Sequence, residues 1–137
     1  MTSNEKIKSI YMIAICGTGM ASLAGLLQQS GYQVTGSDSN IYPPMSTLLE
    51  SAGVKIKPGY QRKNITENID KVVIGNAVSR DNQEVLAVLE KGIPYISFPE
   101  AIKKFYLENR KSLVVAGTHG KTPTAAILSW VLYSARR

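Results

Sequence analysis

The chain has 137 residues, 44% of them hydrophobic and 19% charged, the length and composition of one soluble domain. No apolar run reaches the roughly 18 residues a membrane-spanning helix needs. No small-residue cleavage site follows the apolar stretch near the start, so neither a membrane protein nor a secreted one is expected. The single cysteine, Cys16, excludes an internal disulfide and agrees with a reducing, cytoplasmic setting. Sixteen Lys and Arg against ten Asp and Glu leave a net charge of +6, which suits an anionic ligand. These basic residues are scattered and not interleaved with aromatics, so no nucleic-acid interface is expected.

Residues 10–16, IYMIAIC, are nearly all apolar, the pattern of a strand covered on both faces in a parallel sheet. A glycine-containing turn follows. Met20, Leu23, Ala24, Leu26 and Leu27 then keep helical spacing up to Gly31, which stands where a helix C-cap would. QVTGSD reads as a second strand and MSTLLESAG as a short helix ended by Gly53. The alternation continues with a weak strand in GVKIKPGY and a stronger one in DKVVIGNAV. DNQEVLAVLEKG reads as a helix with Asp81 or Asn82 as its N-cap. PYISF is a strand, and PEAIKKFYLEN a closing helix with Pro99 in its first turn. After a polar break at 108–112, LVVAG begins another strand. The whole predicts an α/β fold, a mainly parallel sheet flanked by helices. Asn64-Ile65-Thr66 matches the glycosylation pattern, a chance match in a cytosolic chain.

Two loops carry the chemistry. The first, ICGTGMAS, sets Gly17, Thr18, Gly19 and Met20 between a buried strand and a helix, where glycines let an anion approach the helix N-terminus. Ser22 stands where a dinucleotide fingerprint has a third glycine, so a tight turn without ligand also accounts for the pattern. Asp38 ends the second strand nineteen residues after Gly19. There it serves either as the acceptor for a ribose hydroxyl or as a turn residue. Cys16, at the end of a buried strand, reads as a small core residue rather than a nucleophile.

The second loop is GTHGKT, Gly117, Thr118, His119, Gly120, Lys121 and Thr122, with strand pattern before it and helical pattern after. Such loops cradle phosphate oxygens with backbone amides, reach the terminal phosphates with the lysine and ligate Mg2+ through the threonine hydroxyl. The spacing is shorter than the common Walker form. His119, the chain's one histidine, reads as a solvent-facing loop residue, since no partner carboxylate is identifiable. Pro123 follows at the start of the helix, where its fixed φ fits and its missing N–H removes one potential phosphate donor.

CGTGM followed by GTHGKT, with GSDSNIYPPMSTLLESAG and VVIGNAVSRDNQEVLAVLEKGIPYISFPEAI between them, resembles the Mur ligase family of ATP-dependent amide-forming enzymes of bacterial cell-wall synthesis. The resemblance runs from Ile10 to about Leu132. It implies a Rossmann-like UDP-sugar-binding domain over residues 1–110 and, over 111–137, the opening strand, loop and helix of a central ATP-binding domain whose remainder the chain lacks. Residues 1–137 by themselves are therefore expected not to ligate. Within the family the stretches look most like the members that join the murein tripeptide L-alanyl-γ-D-glutamyl-meso-diaminopimelate to UDP-N-acetylmuramate in peptidoglycan recycling. Members that take L-alanine usually carry a double glycine where this chain has Cys16-Gly17.

By position, the resemblance implies that Gly17, Thr18, Gly19 and Met20 face the UDP diphosphate and that Ser37, Asp38 and Asn40 meet the uridine end. Gly75, Asn76, Ala77 and Val78 would line the same crevice. Gly117 to Pro123 would hold ATP, with Lys121 and Thr122 the catalytic pair and Thr122 near Mg2+. In the family, ATP phosphorylates the muramate carboxylate and the peptide amine attacks the acyl phosphate. A stand-alone NAD-binding or nucleotide-sensing module is the competing reading from another class, favoured by the first loop and Asp38 and opposed by the second loop.

Overall fold

The computed structural model describes residues 7–107 and, beyond them, Leu132. The loop from Gly117 to Pro123 lies outside the described residues. Five parallel strands make one sheet: β1 (Ser9–Ile13), β2 (Gln33–Asp38), β3 (Lys55–Pro58), β4 (Lys71–Ile74) and β5 (Tyr95–Ser97), in the order β3-β2-β1-β4-β5. The connecting helices are α1 (Thr18–Gln29), α2 (Met45–Ser51), α3 (Gln83–Lys91) and α4 (Phe98–Ile102), the last continued by a wider turn over Lys103–Leu107; a short 3-10 turn covers Arg62–Asn64. The expected α/β architecture is the observed one.

The apolar run that opens the chain is explained by its place at the centre of the sheet. Ile10 and Met12 point into a core shared with Leu23 and Leu27 of α1, Leu49 of α2 and Ala101 of α4. Tyr11 and Ile13 point the other way, into a core shared with Val85, Ala87 and Val88 of α3. Four consecutive residues of β1, Ile10 to Ile13, are thus fully buried on alternating faces, as a strand covered by helices on both sides must be. The strand is shorter than its hydrophobicity predicts. It ends at Ile13 because Ala14 turns into the left-handed region, φ 68°, a conformation that costs an alanine about 1–2 kcal/mol.

Helix ends follow their sequence signals. Asn82, not Asp81, caps α3, its side-chain oxygen accepting from the Glu84 and Val85 N–H groups. Gly31, Gly53 and Gly92 take positive φ just beyond α1, α2 and α3, satisfying the last carbonyls of each helix. Ser97 and Glu100 form a reciprocal capping box around Pro99 at the start of α4.

One close approach fixes the register of β1 against β2. Gly36 pairs with Met12, and a Cβ built on it would lie 2.5 Å from the Met12 carbonyl oxygen and 2.7 Å from Ile15 Cδ1. Gly36→Ala is therefore expected to destabilise the fold by about 1–3 kcal/mol, measured as a lowered denaturation midpoint with unchanged m-value.

At the other end of the sheet, Asp70 Oδ2 accepts from the Lys8 and Ser9 N–H groups, both at 2.9 Å. These bonds, that from Lys8 first, hold the Asp70 carboxyl below its ordinary range. A depressed folded-state pKa gives stability that is present above the usual carboxylate range and lost as pH falls through the folded value. Asp70→Asn should accordingly flatten the stability loss below about pH 4, checked by urea unfolding as a function of pH.

Candidate functional site: the crevice at the ends of β1, β2 and β4

The chain crosses from β1 through α1 to β2 on one side of the sheet, while β4 lies on the other side of β1. In open parallel sheets such a switch of direction leaves a crevice outside the carboxyl ends of the strands, where ligands bind. Two adjoining cavities occupy that place. One, of about 390 Å3, is bounded by Cys16, Thr18, Asn40 and the run Tyr42–Met45. The other, of about 340 Å3, is bounded by Ala14, Gly19, Met20, Gly75, Asn76, Ala77 and Phe98. Gly17 and Asp38 line both.

The loop from Ala14 to Gly17 is strapped to the end of β2. The Ser37 carbonyl accepts from the Ala14 and Ile15 N–H groups at 2.9 and 3.0 Å. Asp38 Oδ2 accepts from the Cys16 N–H at 2.9 Å, while its Oδ1 accepts from the Asn40 N–H at 2.9 Å. The Asp38 side chain thus fixes the loop and retains accepting capacity toward the cavities, since each carboxylate oxygen has more than one lone pair. The two meanings open for it in the sequence, turn residue and ligand acceptor, are compatible.

Helix α1 starts directly from this loop. Gly17 is its N-cap, no side chain caps it, and no acidic residue lies in its first turn. The initial N–H groups of a 12-residue helix thus adjoin the shared wall of the two cavities, where among the described residues the one acidic side chain is Asp38, already bonded to the Cys16 and Asn40 N–H groups; free helix N–H groups of this kind favour a bound negative group. Gly19 packs closely under Phe98: a Cβ there would stand 2.9 Å from Cζ of the ring, so a larger residue would require the ring to move. Ser22 is turned to its own helix, its hydroxyl donating to the Thr18 carbonyl.

Of the described residues singled out from the sequence as site residues, most converge here: Gly17, Thr18, Gly19, Met20, Asp38, Asn40, Asn76 and Ala77 all line the crevice. Two do not. Ser37 is fully buried, and its hydroxyl donates to Glu84. Val78 packs against the core on the α3 side. Residues that sequence reasoning passed over include Phe98 and the walls Tyr42, Pro43, Pro44 and Met45. Their positions immediately after the ends of β5 and β2 were the signal available. Among the described residues no cluster of three or more His, Cys, Asp or Glu side chains could hold a metal, and no helix is long and apolar enough to cross a membrane.

Behind the strap lies a buried polar group. Glu84, in the first turn of α3, is fully buried. It accepts from Tyr11 Oη at 2.8 Å, from Asn64 Nδ2 at 2.8 Å and from the Ser37 hydroxyl, with the Gln61 N–H at 3.4 Å. Burial, and after it the Glu84 charge, push the Tyr11 phenol far up, so it remains a donor.

Comparison with known proteins matches residues 9–110 to the model of the Mur ligase family, catalytic domain. The chain is 52% identical over 123 residues to the UDP-N-acetylmuramate--L-alanyl-gamma-D-glutamyl-meso-2,6-diaminoheptandioate ligase of Escherichia coli, covering 90% of this chain and 27% of that protein. It is 43% identical to the UDP-N-acetylmuramate--L-alanine ligase of Lactobacillus helveticus, covering 93% of this chain and 29% of the relative. The solved murein peptide ligase of Psychrobacter arcticus superposes with a TM-score of 0.88 at 46% identity, over 93% of this chain and 27% of that one. The chain thus spans little more than a quarter of the length of these relatives.

The electrostatics of the loop yield a measurable consequence. Burial first, and then the Asp38 carboxylate, push the Cys16 thiol up. Alkylation of Cys16 by iodoacetamide should titrate with a midpoint above the value of about 8.5 for an exposed thiol, and Asp38→Asn should bring that midpoint down. A wild-type midpoint at or below the exposed value would contradict this charge arrangement.

Proposed function

Since the chain belongs to the Mur ligase family, we propose that residues 1–110 are its UDP-sugar-binding domain and that the crevice takes UDP-N-acetylmuramate. The observation that carries the reading is the uncapped start of α1 at Gly17, opening on the wall common to both cavities. The diphosphate lies over Gly17, Thr18, Gly19 and Met20, where helix N–H groups offset its charge. The uridine end lies toward Asp38 and Asn40, and the sugar end passes Gly75, Asn76 and Ala77. Ser37 contributes from behind, through its carbonyl, rather than by touching the ligand with its hydroxyl.

Residues 111–137 are, on this reading, the start of the ATP-binding domain. Gly117, Thr118, His119, Gly120, Lys121, Thr122 and Pro123 would receive ATP, with Thr122 as the protein ligand of Mg2+. The activity of the whole protein is then ATP-dependent ligation, in the cytoplasm, of the murein tripeptide to UDP-N-acetylmuramate through an acyl phosphate. Identity to the tripeptide ligases, 52% in the Escherichia coli relative against 43% in the Lactobacillus helveticus alanine ligase, supports the tripeptide over L-alanine as acceptor.

Calorimetric titration of the chain with UDP-N-acetylmuramate and, separately, with NAD tests the crevice. Binding of the UDP-sugar without binding of NAD is expected, and Asp38→Ala should weaken it by about 1–3 kcal/mol. Tight NAD binding with no response to the UDP-sugar would replace this reading with that of a dinucleotide-binding module.

A further inference from the structure

We propose that Glu84, which does not line the crevice, is a positioning residue for it: through the Ser37 hydroxyl, its buried carboxylate sets the end of β2 from which Ser37 and Asp38 hold the phosphate-facing loop. The proposal rests on the crevice being the UDP-sugar site.

Glu84 gathers donors from separate parts of the chain: Tyr11 in β1, Ser37 in β2, and Asn64 and Gln61 in and beside the 3-10 turn. Among the described residues no cation is paired with it; the ion pair there is Arg62 with Glu90, on the surface. Desolvating a carboxylate costs several kcal/mol even after hydrogen bonding, and an apolar side chain of similar size commonly stabilises a core as well or better. What an apolar residue could not do is aim strand ends.

Two routes lead from Glu84 to Asp38. Along β2, Ser37 donates its hydroxyl to Glu84, while its carbonyl takes both the Ala14 and Ile15 N–H groups. The residue is thereby tied at once to α3 and to the loop. Across the sheet edge, Asn64 Nδ2 reaches Glu84 at 2.8 Å and the Gly59 carbonyl at 3.4 Å, and the Gly59 N–H donates to the Asp38 carbonyl at 2.9 Å. Asp38 is thus linked to one buried carboxylate directly through its neighbour Ser37 and, at one remove, through Gly59 and Asn64. A site of this kind loses affinity when its supporting groups shift by fractions of an ångström.

The test uses the 137-residue chain at a temperature where circular dichroism shows each variant fully folded, with UDP-N-acetylmuramate affinity as the readout. Ser37→Ala removes the bond to Glu84 while leaving the Ser37 carbonyl in place, and should raise the dissociation constant about tenfold. Glu84→Gln keeps an acceptor for Tyr11 and Asn64 and can bond the Ser37 hydroxyl only as a neutral group, so a smaller rise is expected. The double variant should lose less than the sum of the two single losses, because both changes act on the Ser37–Glu84 bond while the amide still offers Asn64 an acceptor. Val88→Ala, in the core on the α3 side, lowers stability without touching either route and should leave affinity unchanged. Equal affinities of wild type and Ser37→Ala, additive losses in the double variant, or an equal loss in Val88→Ala would each overturn the role of Glu84 while leaving the crevice as the ligand site. Absence of UDP-sugar binding by the unsubstituted chain would overturn both.

Discussion

The crevice depends on how the last two residues of β2 hold the loop that leaves β1. Three loop N–H groups, of Ala14, Ile15 and Cys16, end on the Ser37 carbonyl and the Asp38 carboxylate. Without those acceptors the loop would have to satisfy its amides with water. The left-handed turn at Ala14 would then have nothing to offset its cost. With them, the chain reverses within a few residues and delivers the start of α1 to the carboxyl end of the sheet.

That strap explains the close packing around it. Gly36 has no room for a side chain because the carbonyl of Met12 and the side chain of Ile15 lie against it. This approach brings β1 and the following loop within hydrogen-bonding reach of Ser37. Gly75 is similarly tight, a built Cβ standing 3.2 Å from both Ala14 Cβ and the Ile13 carbonyl oxygen. Its own N–H donates to that carbonyl at 3.1 Å, closing the β4 side. Phe98, just after β5, supports the first turn of α1. The part of the crevice wall at Gly17, Gly19, Gly75 and Phe98 is therefore held by close packing against the sheet and α1, a condition for holding a ligand in one orientation.

Charge is distributed to match. The chain carries a net +6, yet among the described residues the crevice is not lined by lysines or arginines. What it offers a negative group is backbone N–H groups and the dipole of α1. Asp38 is the one charged side chain among the described residues of its wall, and both its oxygens are occupied in part by backbone donors. The Asp38 charge is directed in part into the loop, toward the Cys16 and Asn40 N–H groups.

Local sequence patterns were enough for much of this. The continuous apolar run of β1 announced a strand buried on both faces. The glycines after α1, α2 and α3 marked the helix ends, and Gly17, Gly19 and Asp38 marked the crevice by their spacing along the chain. These features depend on neighbours within a few residues or on a simple period, so they survive in one dimension. The choice of Asn82 over Asp81 as cap and the end of β1 at Ile13 were not legible, because each depends on backbone angles set by packing. Nor was the fate of Ser37: next to Asp38 in sequence, it points to the opposite side of the strand, and only the fold brings Glu84, 47 residues away, to meet it. Phe98 reaches Gly19 for the same reason. Contacts between distant residues are decided by how the sheet orders its strands, and that order is a property of the whole packed core, not of any single segment.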